Sequence, residues 1–584
     1  MSLLSVAKNL FVSAEQILRC AQDDTGGNGN VIVFRIRSPE ARQSVCMRFA
    51  QKLKSIHEVS PNDGGAKMNR FAIVLSVVAV MGLSAVPTHG QKVEKAGATA
   101  KAGQRPVDLY NVGSEKQLFI DGAFFEKAEN VRIRLHPARK TGEKTLEREH
   151  PWESLTINWF NVMEDPGVVD KQARYRMWYE AYDVDGWLRY EKEKNDNYTI
   201  VFCYAESRDG IKWTKPELGL FEYEYNGSKK NNILFRTIGP EGANSRVHGV
   251  GVFKDPTAPP ESRYKGASQG RLHGQYRIAG MYSADGLRWT RWPKPIVTNG
   301  GFADSQHSCF WDQRRGKYVL YARGGGIRES DDFSCFEKGI DGFSFRPGRK
   351  HPPKSTIYNH AAMKYPYAAN VYLALPSLYS RPKSTPDTLE IYLAVSRDGA
   401  RWTWPDSPVP FIALGKPDTF DSGSLYMGQG IIRVGDELWL YYSGSPLTHN
   451  ESSLEKEKNP KNARIYSRVI VPLDRFVSVD SGTEGGYFVT PPLTFTGNTL
   501  KLNVEVREGG SARVGLLTED GKPVPGRTVE DCLPITGDQM ATPVRWRKGG
   551  DVSPRAGKPT RLRVELKSAS LYAFQFDQPQ PARD

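Results

Sequence analysis

The sequence predicts an all-β protein, a five-bladed β-propeller followed by a C-terminal β-sandwich. Three observations lead there. A seven-residue signature, Ser207-Arg-Asp-Gly-Ile-Lys-Trp213, recurs as Ser283-Ala-Asp-Gly-Leu-Arg-Trp289 and Ser396-Arg-Asp-Gly-Ala-Arg-Trp402, with a degraded copy at Ser330-Asp-Asp-Phe-Ser-Cys-Phe336. Each Asp-Gly copy follows an apolar run, Ile200–Tyr204, Ile278–Tyr282 or Ile391–Val395. Gly, and to a lesser extent Asp, accepts positive φ, which suits a hairpin turn. A β-rich unit repeated every several tens of residues signals a radial array. The third observation is a change of pattern after residue 483, where apolar and polar residues alternate with period two, the mark of half-buried strands.

Taken in order, residues 1–67 are weakly patterned and basic in skew. Met68 opens a second beginning. A short positive stretch, Met68-Asn-Arg70, precedes an almost unbroken apolar run from Phe71 to Val86, and Pro87-Thr-His-Gly90 ends in a small residue suited to cleavage before Gln91. This layout reads as a secretory signal peptide at 68–90. The run is short and poorly flanked for a membrane span. No lipobox cysteine follows it. The expectation is a secreted or periplasmic protein that starts at Met68 and keeps no stable membrane anchor after cleavage, with 1–67 as translated upstream sequence. The alternative is a real extension with one membrane anchor. Residues 91–106, rich in Lys, Ala and Gly, read as a flexible linker.

The propeller is expected over 107–482. Lys116-Gln-Leu-Phe-Ile-Asp-Gly122 gives a first strand and turn. Five units of four strands follow, marked by Tyr175–Tyr179, His248–Phe253, Phe310–Tyr321, Val371–Leu375 and Glu437–Tyr442, and closed by Ser467–Val477. Charged stretches near 183–198 and 445–463 read as surface excursions. Over 483–577, the segments Leu500–Val506, Ala512–Leu517 and Arg561–Leu566 suggest a small sandwich. Residues 578–584 read as a tail.

A chain of 584 residues exceeds a single typical domain. Its formal charge of +14 is half explained by residues 1–106, which carry 14 Lys and Arg against 7 Asp and Glu. The rest is a mild surplus, so nucleic acid is not an expected partner. The six cysteines show no metal-ligand spacing. Cys203 and Cys309 sit in apolar runs as buried thiols, and a bridge between Cys309 and Cys335 stays open because both fall in one unit. No phosphate loop, dinucleotide fingerprint or zinc signature occurs. The sequence calls for no cofactor and leaves room for a structural calcium. It does not set the oligomeric state.

Five such units followed by a sandwich resemble glycoside hydrolase families 32 and 43 and, more closely, secreted bacterial proteins with a family 32 N-terminal-like domain. The resemblance spans roughly residues 107–577. The Ser-x-Asp-Gly-x-x-Trp turns also echo the Asp-boxes of sialidases, one residue shorter. They are structural, setting the turn between outer strands. The resemblance implies a glycoside hydrolase acting on a polysaccharide or oligosaccharide, with chemistry at the central axis where the first strand of each blade begins. The alternative is a propeller that binds glycan without cleaving it.

Phe302-Ala-Asp-Ser-Gln-His-Ser-Cys-Phe-Trp311 is similar to the family 32 pattern Phe-Arg-Asp-Pro-x-Val-Phe-Trp. That likeness gives Asp304 the role of transition-state stabiliser, against the plainer role of a turn residue at the start of the strand. The family's Asn-Asp-Pro-Asn-Gly motif is absent from the first unit. Glu153 is the nearest carboxylate there, and Asp165 in Glu164-Asp-Pro-Gly167 reads as a turn. In the fourth unit Tyr358-Asn-His-Ala-Ala362 stands where the family has its acid Glu, so His360 is left to donate a proton or hold a substrate hydroxyl. Asp418-Thr-Phe-Asp-Ser-Gly423 offers Asp421. A glycosidase needs one protonated and one ionised carboxyl, and Glu153, Asp304 and Asp421 form the expected catalytic set. His248, His307, His360, Asn359, Trp152 and Trp159 form the expected substrate-binding set, the tryptophans by stacking on sugar faces.

Overall fold

The computed structural model describes residues 110–578, apart from 169–172, 239–245, 273–274, 298–303, 324–325, 341–342, 349, 353, 383–385 and 407–408. The expectations for 1–67, the signal peptide at 68–90 and the linker at 91–106 lie outside the described residues. The protein is all-β, built from sheets whose strands pair antiparallel except for Tyr110–Gly113 on Leu493–Phe495, which is parallel. Sheet I pairs Thr156–Glu164, Tyr175–Tyr182, Val201–Ser207 and Ile233–Phe235 in that order, sheet II His248–Lys254, Tyr264–Leu272, Gln275–Ser283 and Trp289–Val297, and sheet III Ser308–Asp312, Lys317–Ala322, Gly326–Ser330 and Lys338–Gly339. Most of their strands are buried on both faces, which explains why they read as apolar runs.

The fourth unit departs from four strands. It is two three-stranded ribbons, Thr356–Asn359 with Ser377–Ser380 and Thr388–Ile391, and Ala362–Lys364 with Tyr372–Ala374 and Ala394–Ser396. Pro376 falls between the middle strands and has no N–H to give to the ladder. Opposite it Ala361 takes a positive φ of 42°. The fifth unit also departs. Ser424–Met427, Glu437–Ser445 and Ile465–Pro472 take their outer partner from far upstream, Arg139–Lys140. The stretch expected to close this unit splits, and Val477–Ser481 joins a different sheet.

That last sheet has ten strands and is not confined to 483–577. Tyr110–Gly113, Gln117–Leu118, Lys127–Glu129 and Val131–Leu135 belong to it together with the C-terminal strands. Its longest pair, Thr499–Thr518 and Thr560–Asp577, shifts register between Val506 and Ser511. Phe119, Phe488, Val514, Trp546, Leu571 and Phe574 pack into its core.

The recurring turns share one hydrogen-bond scheme. In the first, Asp209 Oδ1 accepts from the N–H of Ile211 and Lys212 at 2.8 Å each, Ser207 Oγ accepts from Gly210 N at 2.9 Å, and Gly210 has φ +73°. The copies at Ser283 and Ser396 repeat it. In the degraded copy Phe333 holds the glycine position at φ +67°. The second and third intact turns dock on the second strand of the preceding sheet, and the first docks on Glu437–Ser445 of the fifth unit. Tyr441 donates to Gly210 O at 2.6 Å, Trp178 to Gly286 O at 2.6 Å and Tyr321 to Gly399 O at 2.8 Å.

The first strands of the sheets follow one another. Thr156–Glu164 packs on His248–Lys254, which packs on Ser308–Asp312, which packs on Ala362–Lys364, while Thr388–Ile391 packs on Ser424–Met427. Gln429 then returns to the beginning, its carbonyl accepting from Val162 N at 2.7 Å and its N–H donating to Phe160 O at 3.0 Å. Buried amides stitch these strands: Asn161 Nδ2 donates to Val250 O at 2.8 Å, and Gln306 Nε2 to Phe160 O and Val250 O at 2.9 Å. Gly249 is required at one close approach, since a Cβ there would lie 2.1 Å from the Ser305 carbonyl oxygen.

Candidate functional site

Side chains from successive units gather where these first strands begin. His248 opens its strand and lies between two carboxylates. Its Nδ1 is 3.0 Å from Glu180 Oε2, and its Nε2 is 3.4 Å from Asp304 Oδ1. Glu180 is fully buried and also accepts from the backbone N–H of Gly249 and Val250. Burial disfavours an imidazolium, but Glu180 and Asp304 outweigh it, so the pKa of His248 is raised above the ordinary value. Asp304 responds in the opposite direction. Its hydrogen bond with His248 outweighs partial burial, the charges of His248 and Arg323 add to it, and its pKa is lowered. The Asp304 side chain is 44% exposed, so this ionised carboxylate is open to a ligand. Arg323 donates to the Asp304 carbonyl at 3.0 Å, and its guanidinium lies over the Tyr358 ring at 4.2 Å.

The wall beside Asp304 is aromatic. Trp159, Tyr358, Tyr379 and Tyr426 form one cluster, with Trp159 tilted against Tyr426 at 4.7 Å and Tyr358 stacked on it at 5.6 Å. Arg464 lies over the Tyr426 ring at 4.3 Å and bonds Ser424 Oγ at 3.0 Å. His449 accepts from the Tyr426 hydroxyl at 2.7 Å. Burial lowers its pKa, so at neutral pH it is the uncharged acceptor. Glu457 stands within electrostatic reach of Tyr426, as Asp304 does. Its pKa is raised by burial, against the pull of Arg464 and Arg148. One carboxyl is thus held ionised and another is biased toward its protonated form, the division that acid–base chemistry on a glycosidic bond requires.

The three expected histidines come together. His307 stands near enough to His248, and His360 to His307, for one charge to disfavour the next. Burial drives both His307 and His360 down to about 4, so both are neutral. His307 Nδ1 donates to the Gly249 carbonyl at 3.1 Å, which leaves Nε2 as a lone-pair acceptor with no partner. His360 Nδ1, Trp159 Nε1, Asn158 Oδ1, Ser305 Oγ and Gln306 Oε1 are also buried without a protein partner. A concentration of orphaned polar atoms at one end of the strands marks a place built to meet water or a ligand.

Other expected residues lie elsewhere. Glu153 is wholly enclosed. It accepts from the Tyr179 hydroxyl at 2.5 Å, the Glu149 N–H at 2.8 Å and Lys215 Nζ at 2.8 Å, with the Lys215 side chain only 4% exposed. Enclosed and fully engaged, Glu153 is a structural anion instead of the expected catalytic one. Asp421 is also committed. Lys140 Nζ, the Tyr442 hydroxyl and Thr419 Oγ1 lie at 2.6, 2.8 and 2.9 Å, and these bonds outweigh burial and lower its pKa. It fastens the outer strand Arg139–Lys140 to the fifth unit. Trp152 donates to Asn232 Oδ1 at 2.9 Å and stacks on His150 at 4.5 Å, away from the Asp304 group. Asn359 is spent on the backbone, donating to Met427 O at 3.1 Å and accepting from Ser377 N at 3.3 Å. Asp165 is buried between Lys254 at 2.6 Å and Arg176 at 3.4 Å. Cys309 and Cys335 are both free. The Cys309 thiol donates to the Gly251 carbonyl at 3.2 Å, and burial pushes its pKa up to about 12.

Glu180, Arg323, Arg464 and Glu457 escaped sequence reasoning. Glu180 had a signal, a single carboxylate inside the apolar strand Tyr175–Tyr182. Glu457 lies in a stretch expected to be a surface excursion. There Ser453 caps a short helix, Leu454–Lys458, that carries Glu457, whose carboxylate accepts from the Ser452 hydroxyl. The other such stretch likewise forms a helix, Val184–Glu193, capped by Asp183.

No family model matches the chain, and no curated protein matches it. Solved structures do. A glycoside hydrolase family 43 arabinoxylan arabinofuranohydrolase from Bacillus subtilis, in complex with cellotetraose, is 14% identical, covers 76% of this chain and 99% of its own, and superposes with a TM-score of 0.32. An N-acetylgalactosamine deacetylase from F. plautii, in complex with blood group B trisaccharide, is 12% identical over 59% of this chain and 96% of its own, with a TM-score of 0.40. A glycosyl hydrolase from Bacteroides ovatus is 17% identical over 62% of this chain and 97% of its own, with a TM-score of 0.37.

Proposed function

We propose that this protein is a carbohydrate-active enzyme of the glycoside hydrolase type, working at the end of a five-bladed propeller where the inner strands begin. The ring reading is supported by the turn of one sheet docking on the second strand of the preceding one and by Arg139–Lys140 closing the fifth unit. The observation that carries the function is the opposed pair. Asp304 is open and held ionised, and Glu457 is pushed toward protonation by burial. Glu457 gives its proton to the leaving glycosidic oxygen. Asp304 stabilises the positive charge that develops on the ring, and water adds to the anomeric carbon and returns a proton to the Glu457 carboxylate. His248, fixed by Glu180, keeps Asp304 ionised. The apolar run Phe71–Val86 supports export from the cytoplasm.

A second reading, a propeller that binds glycan without cleaving it, is favoured by one observation: Glu153 and Asp421 are both consumed by structural ion pairs. Asp304→Asn separates the two. It keeps the shape and removes the charge. On a panel of oligosaccharides, turnover should fall roughly a hundredfold or more while binding measured by calorimetry persists. Unchanged turnover on a confirmed substrate would sink the role assigned to Asp304. Binding without turnover in the wild-type protein, weakened by Asp304→Asn, establishes the binding module.

A further inference from the structure

The inner strands end, opposite Asp304, in a concavity of about 1180 Å³. It lies between their far ends and the ten-stranded sheet, which contributes Gln575 and the segment Ser114–Lys116. The amides of Asn161, Gln306 and Gln429 cross the axis between the two ends, so the concavity is separate from the Asp304 group.

Two features of its wall point to a ligand. Phe310, Trp311, Met363 and Tyr367 line it and remain half-exposed. Apolar surface left partly open inside a concavity marks a binding site. Cations form the rim. Arg314 donates to the Arg397 carbonyl at 2.9 Å, and Lys364 to the Gln313 side chain at 2.8 Å. Arg433 lies over Tyr367 and is 3.9 Å from Asp436. Among the described residues Arg314 and Lys364 have no carboxylate partner, and Arg433 has only the largely exposed Asp436. The other charges at the wall are largely spent: Glu164 is held by Arg174 at 2.7 Å, and Lys116 by Asp474 at 2.6 Å. Glu115 is the carboxylate that remains, so the balance is positive.

We propose that this concavity is a second binding site, for an anionic saccharide. A flat sugar face lies on Trp311 or Tyr367, and its carboxylate meets Arg314, Lys364 and Arg433. The saccharide class rests on the carbohydrate reading of the Asp304 end, whereas the demand for an apolar face and a negative charge comes from the concavity alone. A neutral glucan chain satisfies the aromatic faces and leaves the cations unanswered, so charge discriminates between ligands here.

The test titrates galacturonate hexamer and, in parallel, cellohexaose into the full chain, followed by calorimetry and tryptophan fluorescence. The acidic hexamer should bind with an affinity that falls as salt rises. Binding should weaken at least tenfold in Arg314→Gln/Lys364→Gln/Arg433→Gln, and the fluorescence change should vanish in Trp311→Phe. Asp304→Asn should bind like the wild type. If the triple variant fails to fold, Lys364→Gln with Lys364→Arg as its rescue carries the same comparison. Equal binding of both hexamers, absence of binding, or binding lost in Asp304→Asn but kept in the triple variant would overturn the proposal. Absence of turnover at the Asp304 end, with charge-selective binding intact here, counts against the hydrolase reading and leaves this site standing.

Discussion

The indole Nε1 of Trp178 donates to the carbonyl oxygen of Gly286 at 2.6 Å, so the second strand of sheet I is clamped to the turn of sheet II. Gly286 has φ +76°, and a Cβ there would lie 2.9 Å from the Trp178 ring. Gly286→Ala should therefore cost about 1–2 kcal/mol for the left-handed backbone and more for the clash. A thermal melt checks it. An unchanged midpoint would show that the clamp does not hold the sheets.

The degraded turn reverses the balance. Phe333→Gly relieves a positive φ worth about 1–2 kcal/mol but removes a fully buried ring packed against Phe253, Trp292 and Phe336. Emptying such a site costs about 3–5 kcal/mol. Lost packing outweighs relieved strain, so this substitution should lower the melting temperature although it restores the sequence signature. A melting temperature that rises would show that the backbone strain at Phe333 is the greater of the two effects.

Glu153→Gln tests the structural role of that carboxylate. It leaves the buried Lys215 with only the largely exposed Glu149 as an anion, at 3.1 Å, and breaking a buried pair from one side costs up to about 3–5 kcal/mol. Glu153→Gln/Lys215→Met should recover much of the loss. If the single variant melts normally yet loses turnover, Glu153 returns to the catalytic set.

The opposed carboxyls set a pH profile. Asp304 must be ionised, and its lowered pKa keeps it so until the pH falls below the ordinary 3.8. Glu457 must be protonated, and its raised pKa extends that form above the ordinary 4.5 before rising pH removes it. Turnover should peak in mildly acidic solution. Glu457→Gln should abolish the basic limb along with most of the rate. His248→Asn should move the acid limb upward, because Asp304 loses its hydrogen bond and neighbouring charge. Stability follows the same sign. The contribution of the raised His248 pKa is complete below 6.5 and is lost as the pH climbs through its folded value. An acid limb that stays put in His248→Asn would contradict the coupling.

Thiol labelling distinguishes the cysteines. Cys335 is exposed, whereas Cys203, Cys309 and Cys532 are buried. Peptide mapping after brief alkylation of the native protein should find Cys335 modified and Cys203, Cys309 and Cys532 protected until denaturant is added. A protected Cys335 would revive the bridge to Cys309.

The sequence alone determined the all-β class, many of the strands and the repeated turns, because these depend on local chemistry. Ser, Asp and Gly at fixed offsets build the same turn wherever they occur, and apolar runs become strands buried on both faces. It also located Asp304, His248, His307 and His360 by their position at the starts of the inner strands. Tertiary structure decided what each carboxylate is for. Glu153 and Asp421 look like Asp304 in sequence, but Lys215 and Lys140, distant along the chain, neutralise them. Glu180 and Glu457 gained their positions only when separate units converged. The borrowed strand Arg139–Lys140, the break at Pro376 and the joining of residues 110–135 to the C-terminal sheet were decided in the same way. A side chain's role is set by its partners in space, and partners hundreds of residues apart leave no local pattern to read.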